Sequence, residues 1–214
     1  LQTLPMLDPY RDARQGSYLP PSTNISDVTA AAGDEVFIYF STQEINNPNI
    51  VKAVAELSLQ RRGFLPAASP ELADMLTKSG MIVDLKQETA YEIARRSRMI
   101  VSSGQHGMLC LGLFAGLPQV CMPQHNEQDW HARAAEREGV AKVAGWGERS
   151  TENIRRLIET TYHDTKMFER AAEVALVLRS DLTDDPDQKI KNAVAPIIAP
   201  LLADVTTDIL RPIY

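Results

Sequence analysis

The sequence predicts an α/β domain, a parallel sheet of about six strands with helices on both faces and further helices at its C-terminal end. Two observations predict it. From Gly33 onward, short β-rich runs alternate six times with helical stretches through short connections, the pattern of parallel β-α units. The first run, Val36-Phe-Ile-Tyr-Phe40, is β-branched and aromatic throughout, as in a strand buried on both faces.

The elements follow in order. After the strand at 36–40, a helix is expected over 49–61, with Ile50, Val54 and Leu57 at helical spacing and Asn47-Pro48 as the start signal. Phe64-Leu65 is a short strand, and 70–78 a helix opened by Ser69 and a first-turn Pro70. Then come a strand at 81–83, a helix at 88–96, a strand at 99–101 and a strongly apolar helix at 107–115. A strand at 119–122, a helix at 127–138 and a strand at 140–143 complete the alternation. Gly80, Gly116 and Gly139 fall where helix ends need a left-handed residue. Beyond Trp146, the stretches 151–162, 165–179 and 187 to about 202 read as three successive helices. The expected organisation is a Pro-, Ser- and Ala-rich linker over 1–32, the sheet domain over 33–180 and a helical extension over 181–214.

Composition excludes several classes. The 214 residues are 44% apolar and 23% charged, with a net charge of −6, which is ordinary for a globular protein and offers no polyanion-binding surface. The pairs Arg61-Arg62, Arg95-Arg96 and Arg155-Arg156 have acidic neighbours and are expected on solvated helix faces, so no nucleic-acid partner is expected. Cys110 and Cys121 sit in apolar runs without metal-ligand spacing; buried reduced thiols and a cytoplasmic setting are expected. The longest apolar stretch, 193–203, is short and broken by proline, so no membrane span is expected. The start has no Met and no secretory pattern, and reads as a cut point in a longer chain.

Ligands of open parallel sheets bind at the carboxyl ends of strands, beside helix N-termini. Three such junctions carry informative residues. In Met99-Ile-Val-Ser-Ser-Gly-Gln-His-Gly-Met108, Gly104 and Gly107 let backbone amides approach a ligand, and the helix dipole favours an anion. The spacing matches neither the dinucleotide nor the Walker pattern. His106, at the helix start, is expected to stay neutral and to pack or hydrogen-bond rather than act as a base. In the second junction, Glu127-Gln128 open a helix after Pro123, a carboxylate and an amide suited to sugar hydroxyls or, equally, to capping. In the third, Ser41 and Thr42 follow the first strand and can reach a phosphate or cap a helix.

Together these junctions resemble the C-terminal half of GT-B glycosyltransferases of the UDP-glycosyltransferase-like kind, over about residues 4–144. Val101-Ser-Ser-Gly-Gln-His-Gly-Met108 precedes Ala115-Gly-Leu-Pro-Gln-Val-Cys-Met-Pro123 and then Glu127-Gln128, the family's order of turn, small-residue helix, Gly-x-Pro, strand, Pro and acidic-Gln pair. Leu4-Pro-Met-Leu-Asp-Pro-Tyr10 and Tyr18-Leu-Pro-Pro21 resemble the end of the family's acceptor domain and its linker. Ser103 departs from the family's diphosphate-contacting His, and Gln105 from its second Gly.

The resemblance implies a Rossmann-like donor-binding domain of an enzyme that moves a sugar from UDP or dTDP to an acceptor hydroxyl. Ser103, Gly104, Gln105, His106, Gly107 and Met108 would hold the diphosphate, with Thr42 touching a phosphate and Glu127 and Gln128 holding the sugar. Asp84 to Gln87 stands where the family binds the base, which brings Gln87 into the donor set. No catalytic residue, metal or cofactor is implied in this chain; the nucleotide-sugar is a substrate. The acceptor and its activating base belong to an absent N-terminal domain, so the fragment alone would be inactive. A sugar-nucleotide epimerase of the same fold and a non-catalytic interaction module are the alternatives.

Overall fold

The computed structural model describes residues 3–15, 18–19, 21, 30–180 and 186–209. Six strands, β1 (Glu35–Tyr39), β2 (Arg61–Phe64), β3 (Ile82–Asp84), β4 (Ser97–Ser102), β5 (Gln119–Cys121) and β6 (Ala141–Val143), form one sheet. Its order is β3-β2-β1-β4-β5-β6 and every pairing is parallel. Between the strands run α1 (Pro48–Ala55), α2 (Pro70–Lys78), α3 (Ala90–Arg96), α4 (His106–Ala115) and α5 (Asn126–Arg137). Then α6 (Thr151–His163), α7 (Thr165–Ser180) and α8 (Pro186–Ile209) follow. The expected Rossmann-like architecture is what the chain adopts.

Strand periodicity divides the core in two. Val36, Ile38, Met99, Val101 and Val120 point to one face with Ile50, Val54, Leu76 and Ile154 from α1, α2 and α6. Phe37, Ile100 and Cys121 point to the other with Leu109, Leu113, Ala135 and Ala171 from α4, α5 and α7. Helices thus cover both faces of the sheet. The order reverses between β1 and β4, and the crevice at their carboxyl ends is the place where such sheets bind ligands.

Most boundaries follow local chemistry. Asn47, Ser69, Thr89 and Ser150 cap the starts of α1, α2, α3 and α6 with their side chains. Gly80, Gly116 and Gly139 take the left-handed backbone expected of them. Cys110 and Cys121 are free and buried, and burial pushes both thiols up to about 12, far from thiolate chemistry at neutral pH.

Two expectations change. The helix expected over 49–61 stops at Ala55, and Arg61 is not on a solvated helix face but buried at the start of β2. Its guanidinium donates to the carbonyls of Ala55, Leu57 and Leu59 at 3.0, 2.7 and 3.2 Å, and to Ser79 O at 2.5 Å. One cation thus closes the C-terminal ends of α1 and α2, where carbonyls lack helix partners and the dipole is negative. Arg62 pairs with Glu35 and Asp84 at 3.0 and 2.9 Å. The pairs Arg95-Arg96 and Arg155-Arg156 do lie on helices, with acidic partners Glu88, Glu92 and Glu152.

The second change concerns residues 1–32. Leu4 and Leu7 are buried in the core, and the 3-10 turn Pro5–Leu7 packs on α5, so this part of the expected linker belongs to the domain. The expected linker stretch 22–29 lies outside the described residues. α8 spans the expected 187–202 and continues to Ile209, with Pro196 and Pro200 inside it. Among the described residues no helix is long and apolar enough to cross a membrane.

Replacing Arg61 by Leu leaves the helix-end carbonyls buried without a donor. Arg61→Leu should lower unfolding free energy by about 3 kcal/mol, seen as a lower urea midpoint at unchanged slope. An unchanged midpoint contradicts this account of α1 and α2.

Candidate functional site

β4 ends at Ser102, and three residues turn the chain into α4 at His106. Gly104 makes the turn with φ +78°, a conformation that costs other L-residues about 1–2 kcal/mol. The packing there is also close: a Cβ would stand 3.2 Å from Gln128 O and from Ala132 Cβ, so α5 would have to give by a few tenths of an ångström. The glycine therefore lets the β4–α4 turn press against the first turns of α5. Two of the three junctions meet at this point.

The third joins through side chains. Ser103 is fully buried and its hydroxyl donates to Glu44 Oε1 at 2.5 Å. Thr42 donates to the other oxygen of the same carboxylate. Gln105 spans the gap, its Nε2 donating to Ser41 Oγ at 3.2 Å and lying 3.5 Å from Glu44 Oε1, while its Oε1 accepts from Ser103 N at 3.1 Å. Gly104 N donates to Ser102 Oγ at 3.0 Å. Glu44 itself is buried, at 4% exposure, between the ends of β1 and β4. Its partners are two hydroxyls and a carboxamide rather than a cation. It was absent from the residues expected at the site.

The first intrahelical bond of α4 is Leu109 N to Gln105 O, and no side chain caps the helix. The amides of His106, Gly107 and Met108 therefore have no intrahelical acceptor, and they open toward the same crevice end of the sheet. A helix start of this kind favours negative charge.

Glu127 is exposed in the first turn of α5, whereas Gln128 is buried and its Oε1 accepts from Gln124 N at 2.8 Å. The carbonyl half of Gln128 thus holds the loop, leaving its amide nitrogen to face other groups. Arg149, also buried, secures that loop from below by donating to Pro123 O and, at 3.1 Å, to Ala144 O, with its guanidinium 4.5 Å over the Trp146 ring. Sequence reading missed Arg149 because both acceptors are backbone carbonyls brought in by β5 and β6. Gln87 stands apart, exposed in the loop after β3 and hydrogen-bonded to none of the other site residues. The neighbouring Asp84 is committed to Arg62.

His106 meets the N-terminal segment. Its Nε2 lies 2.8 Å from Thr3 Oγ1, and its ring is 5.3 Å from that of His131 on α5. Cys110 Sγ lies 3.7 Å away, but its raised pKa excludes a thiolate–imidazole pair at neutral pH. Burial pushes both imidazoles below their ordinary 6.5; His131 is lowered further by its neighbour His106, and Glu127 opposes both shifts. Burial thus favours the neutral imidazole of His106. Among the described residues no group of three or more His, Cys, Asp or Glu is placed to hold a metal ion.

The lowered imidazoles set a pH dependence. Below 6.5 the unfolded chain takes up protons that the folded histidines refuse, so their contribution is complete above 6.5 and is lost as pH falls from there. The carboxyl of Asp8, held low by Arg14, matters only below its ordinary 3.8. The Tm should be level between pH 6.5 and about 8, short of the ordinary 9.0 of the two buried thiols, and fall toward about pH 5, less steeply in His131→Asn. A Tm that holds or rises on acidification contradicts this.

No family model matches the chain, and no curated protein matches it in sequence. Solved structures match it in fold. A glycotransferase of kitacinnamycin is 19% identical with a TM-score of 0.63, over 82% of this chain and 49% of that one. A calicheamicin glycosyltransferase is 15% identical with a TM-score of 0.67, over 89% and 50%. The spinosyn rhamnosyltransferase complexed with thymidine diphosphate is 17% identical with a TM-score of 0.64, over 88% and 54%. The chain spans about half the length of the structures it matches. At these identities the likeness is one of fold: the chain has the fold of one half of a GT-B glycosyltransferase.

Proposed function

We propose that the chain is the donor-binding half of a glycosyltransferase that moves a sugar from a nucleoside diphosphate, UDP or dTDP, to an acceptor hydroxyl. The observation that carries this reading is the convergence at the β1/β4 switch point. There the uncapped start of α4 lies beside the hydroxyls of Thr42 and Ser103, both of which donate to Glu44, with the start of α5 packed next to it at Gly104. Solved neighbours of this fold include one complexed with thymidine diphosphate, which supports a nucleotide donor.

In this reading the residues divide by task. The amides of residues 104–108 take the diphosphate, that of Gly104 exchanging Ser102 Oγ for a phosphate oxygen; negative charge grows there as the sugar departs, and the free amides at the start of α4 stabilise it without reorienting. Glu127 accepts from sugar hydroxyls, and the amide nitrogen of Gln128 donates to one. Gln87 borders the base only if the loop after β3 folds inward on binding. The acceptor and the base that takes its proton belong to another part of the full enzyme, so this half alone binds donor without turning it over. No cofactor is needed, because the nucleotide-sugar carries its own leaving group.

Calorimetry tests the reading. UDP or dTDP should bind with a Kd of about 1 mM or tighter. Gly107→Asp, which places a carboxylate in the first turn of α4, should weaken binding by an order of magnitude or more. Absence of heat with every nucleotide contradicts the proposal.

A further inference from the structure

Glu44 is a buried carboxylate past the end of β1, where the order of the sheet reverses, and nothing in the donor-binding reading requires an acid there. Its two oxygens accept from Ser103 Oγ at 2.5 Å and from Thr42 Oγ1, and Gln105 Nε2 approaches one of them at 3.5 Å. These three donors are of the kind from which a phosphate oxygen accepts. A carboxylate offers the same kind of acceptor as a phosphoryl oxygen, with the same sign of charge. Resting on the donor-binding reading, we propose that Glu44 is an internal stand-in for the donor's phosphate and sets how tightly a nucleoside diphosphate binds.

The geometry gives the exchange a definite form. Glu44 belongs to a four-residue 3-10 turn, Gln43–Asn46, between β1 and α1, outside both elements, so the exchange asks for a turn of its side chain rather than of a strand or helix. Its neighbour Ile45 is fully buried and anchors the turn while the acid moves. When a diphosphate enters, the hydroxyls of Thr42 and Ser103 pass from the carboxylate to the phosphate, and Gln105 is released from its bridging position. No covalent bond changes. A diphosphate arriving while the carboxylate remains would meet like charge in a site of low dielectric, so binding requires the carboxylate to leave. Without a ligand, Glu44 keeps the hydroxyls of this buried crevice hydrogen-bonded.

The test measures UDP and dTDP binding by calorimetry to the whole chain and to Glu44→Gln and Glu44→Ala. The first variant keeps the shape and removes the charge; the second opens the space. Circular dichroism melts confirm that each is folded. The proposal predicts that both variants bind UDP more tightly than the natural chain, on the order of tenfold. If the natural chain binds and the variants bind equally or more weakly, Glu44 is only a brace for the turn; the proposal falls while the donor-binding reading stands. If neither the natural chain nor either variant binds any nucleotide, both fall together.

Discussion

The turn between β4 and α4 depends on one backbone conformation. Gly104 takes φ +78° and lets the turn lie against Gln128 O and Ala132 of α5, at distances that a side chain would crowd. From that contact the rest of the site follows. The start of α4 is aimed at the end of the sheet, α5 begins beside it, and Ser103 is turned inward toward the end of β1. Because helices bury both faces of the sheet, this strand-end crevice is the natural opening for a ligand.

The charges obey the same geometry. In a parallel β-α sheet the helices run against the strands, which gathers helix C-termini at one end of the sheet and helix N-termini at the other. Two of the buried ions, Arg61 and Glu44, illustrate this, while a third, Arg149, spends its charge on the carbonyls of Pro123 and Ala144 past β5 and β6. Arg61, at the start of β2, satisfies carbonyls where α1 and α2 finish. Glu44, past the end of β1, lies where α4 begins and takes the hydroxyls of Ser103 and Thr42. A cation sits at the negative end of the helices and an anion at the positive end. Glu44 is thus the acid that the chain places beside the start of α4.

The sequence made much of this legible, and the limits have physical causes. The order of strands and helices is written in local periodicity, and the turn around Gly104 in its glycines. The spacing through Pro123 to Glu127-Gln128 carried the resemblance that the fold comparison bears out. Arg61 was misplaced because Ile50, Val54 and Leu57 continue the helical spacing past Ala55, while the carbonyls that capture the guanidinium come from two separate helix ends. Glu44 was invisible for a related reason. In Phe40-Ser-Thr-Gln-Glu44 it reads as one more polar loop residue, and its burial arises from a partner 59 positions away, brought alongside by the pairing of β1 with β4. Gln87 shows the converse, since it was placed by alignment alone and no contact draws it into the crevice.

The claim that the β1/β4 crevice receives a nucleoside diphosphate is tested most directly by locating the ligand rather than by weighing it. In ¹⁵N-labelled protein titrated with UDP or dTDP, the account predicts that the largest amide shift changes fall at residues 103–108 and at Thr42 and Glu44, with smaller changes at the start of α5. Changes confined to other surfaces, such as the exposed face of α7 or the edge strand β3, would place the ligand elsewhere and contradict it.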